Sequence, residues 1–175
     1  MDKGLKPGVT ALLFCLLSLN IFPQSRPALN KPLESFSQIL SSARNLISDG
    51  QYIQAQKLLL QSLKLARISE EKKEFLFYLA ETNASLGQLA QAAERYSQCL
   101  DLARETKDSV KADYCQKTLT AIDLFNKAKD LRQNKDHDEA IKILNDAIAL
   151  CDEIKNETLK IKCLRRKSLC LLDLN

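Results

Sequence analysis

Apolar residues recur along most of the chain with the spacing of one face of an α-helix. The first such run follows the i, i+3, i+4, i+7 template, and its members are Phe36, Ile39, Leu40, Ala43, Leu46 and Ile47. Because 3.6 residues complete one helical turn, this spacing gathers the apolar side chains into a single stripe. It predicts a helix with one buried face. The helix should end at Asp49-Gly50, since glycine readily takes the left-handed conformation that closes helices.

The same sequence of helix, turn and helix returns further along. Turn phrases of similar form at residues 50–55, 87–92 and 135–140 separate segments with helical spacing. The turn positions Gly50, Gly87, Lys135 and Asn175 are 37, 48 and 40 residues apart, and the longest interval predicts an extended first helix at residues 109–134. All four prolines lie in the first 32 residues, so none interrupts the helices. The pattern predicts an all-α chain of repeated helix-turn-helix units.

The turns and the helices after them resemble the tetratricopeptide repeat (TPR) family. That family has a glycine closing the first helix, an aromatic residue or leucine two residues later, and a small residue three residues further on. Those positions are filled here by Gly50/Tyr52/Ala55, Gly87/Leu89/Ala92 and Lys135/His137/Ala140. The small packing positions of the first helices correspond to Ala43, Ala80, Ala128 and Ser168. The resemblance covers residues 36–175 and implies a right-handed solenoid of about three and a half repeats, with Lys135 departing from the glycine.

A protein-binding groove is what the resemblance implies for function. The concave surface of stacked first helices holds a partner segment in that family, and here its inward positions are Leu40, Arg44, Phe77, Glu81, Phe125, Lys129 and Arg132. The alternative is that Phe77 and Phe125 pack between helices, because aromatic residues at helical spacing usually belong to the core. The family's carboxylate clamp of Lys and Asn is absent, with Arg44, Glu81 and Lys129 at one of its positions.

The first 35 residues differ from the rest of the chain. Lys3 and Lys6 precede an uncharged apolar run at residues 9–22, which is the form of a secretory signal peptide and is shorter than a bilayer span. We therefore expect a signal peptide at residues 1–25, a proline-rich linker at 26–35 and export to the periplasm, cell envelope or medium. The alternative is that residues 9–22 are not cleaved and anchor the protein in a membrane. We interpret Cys15 as part of this apolar run.

The composition offers little to catalysis or to nucleic acid. His137 is the only histidine, and it stands at a packing position of a repeat turn, so we expect a structural ring there. No phosphate-binding glycine loop or zinc-ligand spacing occurs, which predicts neither cofactor nor metal. The net charge of +4 is mild and spread along the chain, and it argues against a nucleic-acid surface. We expect a protein without enzymatic activity, and a small enzyme is a rival interpretation.

Five cysteines follow the N-terminal segment. Cys99 and Cys115 stand at equal distances from a turn near Lys107, and Cys151 and Cys163 are likewise symmetric about Glu157. In an antiparallel helix pair, such positions can come opposite one another within the reach of a disulfide. The spacing predicts two bridges, Cys99–Cys115 and Cys151–Cys163, with Cys170 free. Small buried thiols are the alternative, because cysteine is often buried without bridging.

The last predicted helix is unusually apolar for a terminal repeat, whose outer face should be polar. Leucines crowd it beside a basic group, at Leu164, Leu169, Leu171, Leu172 and Leu174. Either the sequence is part of a longer array, or this helix docks on a partner or a second copy. We therefore expect an exported scaffold or adaptor that binds a protein segment in its groove. The alternative is an assembly subunit that oligomerises or docks through Leu164, Leu171, Leu172 and Leu174.

Overall fold

The computed structural model describes residues 35–174 and confirms an all-α chain. The described part contains seven helices and no strand. In order they are α1 Phe36–Ser48, α2 Tyr52–Leu65, α3 Ser69–Ser85, α4 Leu89–Glu105, α5 Ser109–Gln133, α6 His137–Glu153 and α7 Glu157–Asp173. The predicted signal peptide, the linker up to Glu34 and Cys15 lie outside these residues. No helix in the described part is long and apolar enough to cross a membrane.

Five of the six turns between the described helices share one backbone conformation, and the turn between α2 and α3 is extended instead. Gly50 and Gly87 have φ of 72° and 79°, and Lys135 takes the same left-handed region at 65°. Lys107 and Lys155 repeat it at 58° and 57° in the turns before α5 and α7. At positive φ, the Cβ atom of a residue comes close to its own backbone, so glycine, which lacks Cβ, is preferred there. The three lysines therefore adopt a strained backbone conformation.

Each helix packs against the next along the chain, and the short turns make these pairs antiparallel. The small positions predicted from the repeat pattern lie in these contacts, because Ala43, Ala80 and Ala128 are fully buried. Ser168 is a correction: it is exposed on α7, and its hydroxyl donates to the carbonyl of Leu164 at 3.1 Å. Cys163 and Cys170 take the inward positions of that helix.

The core forms two clusters that meet at α3. The smaller one joins α1, α2 and α3 through Leu40, Leu59 and Leu79. The larger one runs from α3 to α7. Besides its neighbours α6 and α5, α7 also contacts α3, a contact that a strictly linear stack of helix pairs does not make.

The predicted extension of the third unit is found in α5, which has 25 residues where α3, α4, α6 and α7 have 17 each. Its start is fixed by Asp108, whose carboxylate accepts a hydrogen bond from the Lys111 backbone N–H at 3.0 Å. The first turns of α5 lie beside α3, where Lys111 pairs with Glu74. Further along, α5 packs against α6 and α7, and Arg132 in its last turn pairs with Asp173 of α7.

Candidate functional site

The predicted groove residues on α1 and α3 are engaged within the protein. Leu40 is buried in the smaller core cluster. Arg44 donates from Nε to the Tyr78 hydroxyl at 2.7 Å, with its guanidinium 4.9 Å from the ring centre. Phe77 packs edge-on against Tyr78 and Tyr114, with ring centres 5.3 and 5.2 Å apart. These side chains hold the helices together rather than line an open channel.

Glu81 accepts two hydrogen bonds that join α3 to α4 and α5. The Tyr96 hydroxyl donates to its Oε1 at 2.5 Å, and the Tyr114 hydroxyl donates to the same atom at 2.7 Å. Asn156, at the start of α7, donates to the Tyr114 oxygen at 3.1 Å. Burial and the Glu81 carboxylate raise the pKa of both phenols, so they stay protonated as donors. This network ties α7 to α3 and occupies the carboxylate.

The remaining predicted groove residues lie on α5 and meet α7. Phe125 is buried, and the Arg166 guanidinium lies 4.5 Å from its ring centre. Arg132 donates from Nε to Asp173 at 2.6 Å. Lys129 is exposed. Two of the seven predicted groove residues, Phe125 and Lys129, line an open cleft in the described part of the chain.

That cleft, which we call the basic cleft, lies between the start of α4, the middle of α5 and α7. It consists of two adjoining depressions of about 380 and 400 Å³ that share Leu89, Phe125 and Arg166. Lys129 borders one depression, and Lys162 and Arg165 border the other. The floor is thus apolar and the rim carries four cationic side chains.

The cations of the basic cleft lack carboxylate partners. Within residues 35–174, none of Lys129, Lys162, Arg165 and Arg166 forms an ion pair. The Nε of Arg166 is buried and finds no hydrogen-bond acceptor in the described chain. Burial and the nearby Arg132 lower the pKa of Arg166. The cleft therefore holds positive charge that the protein does not neutralise.

Sequence reasoning identified Lys129 and the basic group on α7 separately, and it did not bring them together. One signal was present in the sequence: Lys162, Arg165 and Arg166 have no Asp or Glu three or four residues away on either side. Such spacing leaves a helical cation without an intrahelical partner. The start of α4 and α7 face each other across this cleft, and this tertiary arrangement is not revealed by residue spacing alone.

A second surface, which we call the outer face of α7, is the side of that helix directed away from the core. Its defining residues are Ile161, Leu164 and Leu172, with exposed fractions of 62%, 42% and 69%. Successive helical residues advance by about 100°, so these three side chains form one stripe along the axis. The predicted docking residues Leu171 and Leu174 are also exposed. No other helix of the described chain carries as many exposed large apolar residues.

Basic residues border the outer face of α7 on both sides. By helical geometry, Lys162 and Arg165 lie along one edge and Lys160 and Lys167 along the other. Lys160 is paired with Asp152 at 2.5 Å, and the other three have no carboxylate partner in the described chain. An apolar stripe between basic borders is suited to an amphipathic element with acidic edges.

The two cysteine pairs proposed from spacing are brought together by the fold. The thiols of Cys99 on α4 and Cys115 on α5 lie close enough to shift each other's pKa, and so do those of Cys151 on α6 and Cys163 on α7. The neighbouring thiol and burial raise the pKa of Cys115 and of Cys163. All four thiols are free and buried in this structure, as is Cys170. The disulfide bridges therefore stay a prediction.

His137 is the first residue of α6 and lies close to the end of α7. Its Nδ1 is 3.8 Å from the Asp173 carboxylate, beyond hydrogen-bond distance, and is buried without a partner in the described chain. Within residues 35–174, no group of three or more His, Cys, Asp or Glu side chains is arranged to hold a metal ion. The geometry around His137 is that of a packed ring at a helix start.

Comparison with known proteins adds no further assignment. No protein-family model, curated protein or solved structure matches the chain. The tetratricopeptide resemblance therefore rests on the turn and packing residues themselves. What the protein does has to be argued from its surfaces, and within residues 35–174 the outer face of α7 and the basic cleft combine exposed apolar residues with cations that form no ion pair there.

Proposed function

We propose that this protein is a non-catalytic interaction module that holds an amphipathic helix of a partner protein against the outer face of α7. The observation that carries the proposal is the exposed apolar stripe of Ile161, Leu164 and Leu172. Burying three such side chains stabilises a complex by about 1.5–3 kcal/mol each before the costs of association. Contiguous apolar surface of this kind marks interaction sites in soluble proteins.

The charge beside the stripe selects the partner. Lys162, Arg165 and Lys167 border it without a carboxylate of their own in the described chain, so a partner helix with Asp or Glu along its edges would be complementary. A second copy of this chain fits less well. Two α7 faces laid together would bring basic border against basic border, and like charges in contact cost binding energy.

The tetratricopeptide-like architecture belongs to the same proposal. Buried alanines at the small positions and left-handed turns at Gly50, Gly87 and Lys135 support a right-handed stack of about three and a half helix pairs. Stacked helix pairs present long helical surfaces, which suits the capture of another helix. The interior groove predicted from the resemblance is a weaker candidate, since Arg44, Phe77 and Glu81 contact other side chains of the chain.

Export is part of the proposal and rests on residues 1–25. Their basic start and uncharged run have the form of a signal peptide. Cell fractionation with mass spectrometry of the mature N-terminus tests this. A chain recovered from the periplasm, envelope or medium without its first residues is expected, and an intact chain confined to the cytoplasm would overturn it.

The docking proposal is tested by affinity capture with matched variants. Ile161→Glu/Leu172→Glu places two carboxylates on the stripe, and Val110→Glu/Leu65→Glu makes the same change at two exposed apolar residues elsewhere. We expect the proteins captured by wild type to be lost with the first variant and kept with the second. Equal capture by all three would contradict the proposal. Light scattering on the same samples identifies self-association, in which case the assembly alternative would replace it.

A further inference from the structure

We propose that the basic cleft is a second binding site, and that it takes an acidic peptide segment. An apolar side chain of the peptide would lie on Leu89 and Leu169, which line the cleft with exposed apolar surface, and its carboxylates would lie toward Lys129, Lys162 and Arg165. Arg165 separates this cleft from the outer face of α7. The proposal for the cleft does not depend on the docking of a partner helix at that outer face.

Unpaired charge is the first argument for this site. Cationic side chains that approach one another repel, and proteins usually place carboxylates among them. The four cations of the basic cleft have none within the described chain, although Lys111, Lys117 and Arg132 elsewhere on α5 are each paired. Arg166 adds a buried Nε without an acceptor. An anionic ligand would supply the missing countercharge.

The start of α4 adds to the positive potential. Gln88 precedes the helix without a side-chain cap, and the first turn of α4 holds no acidic residue. Residues 88–91, which form the start of α4, line the cleft. Unpaired N–H groups at a helix start carry partial positive charge and favour a negative group nearby. This contribution supports the cationic side chains and does not define a site by itself.

The shape and lining of the cleft favour a peptide over nucleic acid. Each depression falls within the range of about 300–1,000 Å³ of ligand pockets, and each has an apolar floor. Bases bound by proteins usually stack on exposed aromatic rings, whereas Phe125 is buried and already covered by Arg166. A peptide offers both an apolar side chain for the floor and carboxylates for the rim.

The test is fluorescence anisotropy of a labelled Leu-Glu-Glu-Leu-Glu-Glu peptide with the full chain. Lys129→Glu/Lys162→Glu is expected to weaken binding about tenfold or more, because it reverses two charges at the rim. Lys57→Glu/Lys64→Glu, which makes the same change in net charge on exposed residues of α2, should leave the affinity near that of wild type. Raising the salt concentration should weaken wild-type binding, since exposed charges are screened.

Several results would overturn the inference. One is equal binding of a Leu-Gln-Gln-Leu-Gln-Gln peptide, and another is equal loss of affinity in both double variants. Tighter binding of a single-stranded oligothymidine, lost in Lys129→Glu/Lys162→Glu, would assign the cleft to nucleic acid instead. Leu172→Glu separates the two proposals, because it should leave peptide affinity unchanged while removing partner capture.

Discussion

At the scale of single residues, the most constrained charge is Lys73 on α3. Its side chain is only 2% exposed, and its Nζ lies 2.7 Å from Glu70 and 2.9 Å from Asp108. Burial lowers the pKa of Lys73, and hydrogen bonds to the two carboxylates outweigh this, so its pKa is raised. Asp108 also caps α5, which makes this cluster a fixed point between two helices.

Asp108→Asn removes the negative charge beside Lys73 and keeps the cap of α5, because the asparagine side-chain oxygen still accepts a hydrogen bond from the Lys111 N–H. We expect the free energy of unfolding at pH 7 to fall by about 2 kcal/mol, since the buried Lys73 ammonium loses one of its two carboxylate partners. Hydrogen bonds from Lys73 and from the Lys111 backbone hold the pKa of Asp108 below its usual value. Urea unfolding of wild type and variant checks the difference.

The pH dependence has a definite sign. A carboxylate whose pKa is lower in the folded state stabilises fully above its unfolded pKa of about 4, and this contribution disappears as the pH falls through the folded value. The gap between wild type and Asp108→Asn should therefore close below about pH 4. Asp123→Asn, at an exposed position of α5, is the control and should change stability little. A gap that persists at pH 2 would contradict the ion-pair account.

The left-handed turns give a reciprocal pair of substitutions. Lys135→Gly should raise the free energy of unfolding by about 0.5–1 kcal/mol, because glycine at φ 65° removes the clash of Cβ with the backbone. Gly87→Ala should lower the free energy of unfolding by about 1 kcal/mol, because the added Cβ clashes with the backbone at positive φ. The backbone is the only source of this cost, since the added Cβ meets no other atom within 4 Å. Thermal unfolding measures both.

A change inside a helix is the contrast for these turn variants. Lys142→Gly, at an exposed position within α6, should be destabilising by about 1 kcal/mol. If Lys135→Gly were destabilising to the same extent, Lys135 would not have the left-handed backbone conformation in solution.

At the scale of helices, paired cysteines lie between α4 and α5 and between α6 and α7. The thiols of Cys99 and Cys115 meet across α4 and α5, and those of Cys151 and Cys163 meet across α6 and α7. Both pairs stand on either side of a turn that contains a lysine at positive φ, Lys107 and Lys155 respectively. Cys99 and Cys115 are each eight residues from Lys107, whereas Cys151 and Cys163 are four and eight residues from Lys155, so two different registers bring a pair of thiols together.

If the protein matures in an oxidising compartment, we expect both pairs to be bridged. Alkylation of the unfolded, unreduced chain followed by mass spectrometry should modify Cys170 and leave the four paired cysteines unmodified until a reductant is added. Each bridge closes a loop of roughly fifteen residues and should contribute about 3 kcal/mol to stability. Modification of all five cysteines without reductant would leave them as small buried side chains.

The sequence predicted most of the helical elements, because apolar spacing and turn residues are local signals. The extended α5 and the glycine turns follow directly from residue spacing. The rotation of α7 was not predictable in the same way, since Ser168 and Cys170 are both small and only packing decides which one faces inward. The basic cleft depends on the meeting of α4, α5 and α7, so its members could be predicted only one at a time.

At the scale of the whole described domain, α7 contributes to both proposed binding surfaces, the outer face of α7 and the basic cleft. Phe125, Tyr114 and Asn156 fix this helix against α5 and α3, so its outer face and the basic cleft are presented on a rigid element. The two surfaces call for related partners, an acidic amphipathic helix for one and an acidic peptide segment for the other. A single acidic protein that supplies both would bind with higher avidity than either contact gives alone.

Site-specific photo-crosslinking in the cells that make the protein tests the central claim most directly. A benzophenone amino acid replaces Ile161 or Leu172 on the outer face of α7, and it replaces Val110 on α5, which is at least as exposed, as a control. The account predicts that both α7 positions crosslink to one partner, within a segment that is an acidic amphipathic helix, and that Val110 does not. Crosslinks at α7 to another copy of this chain, or the same products from all three positions, would contradict it.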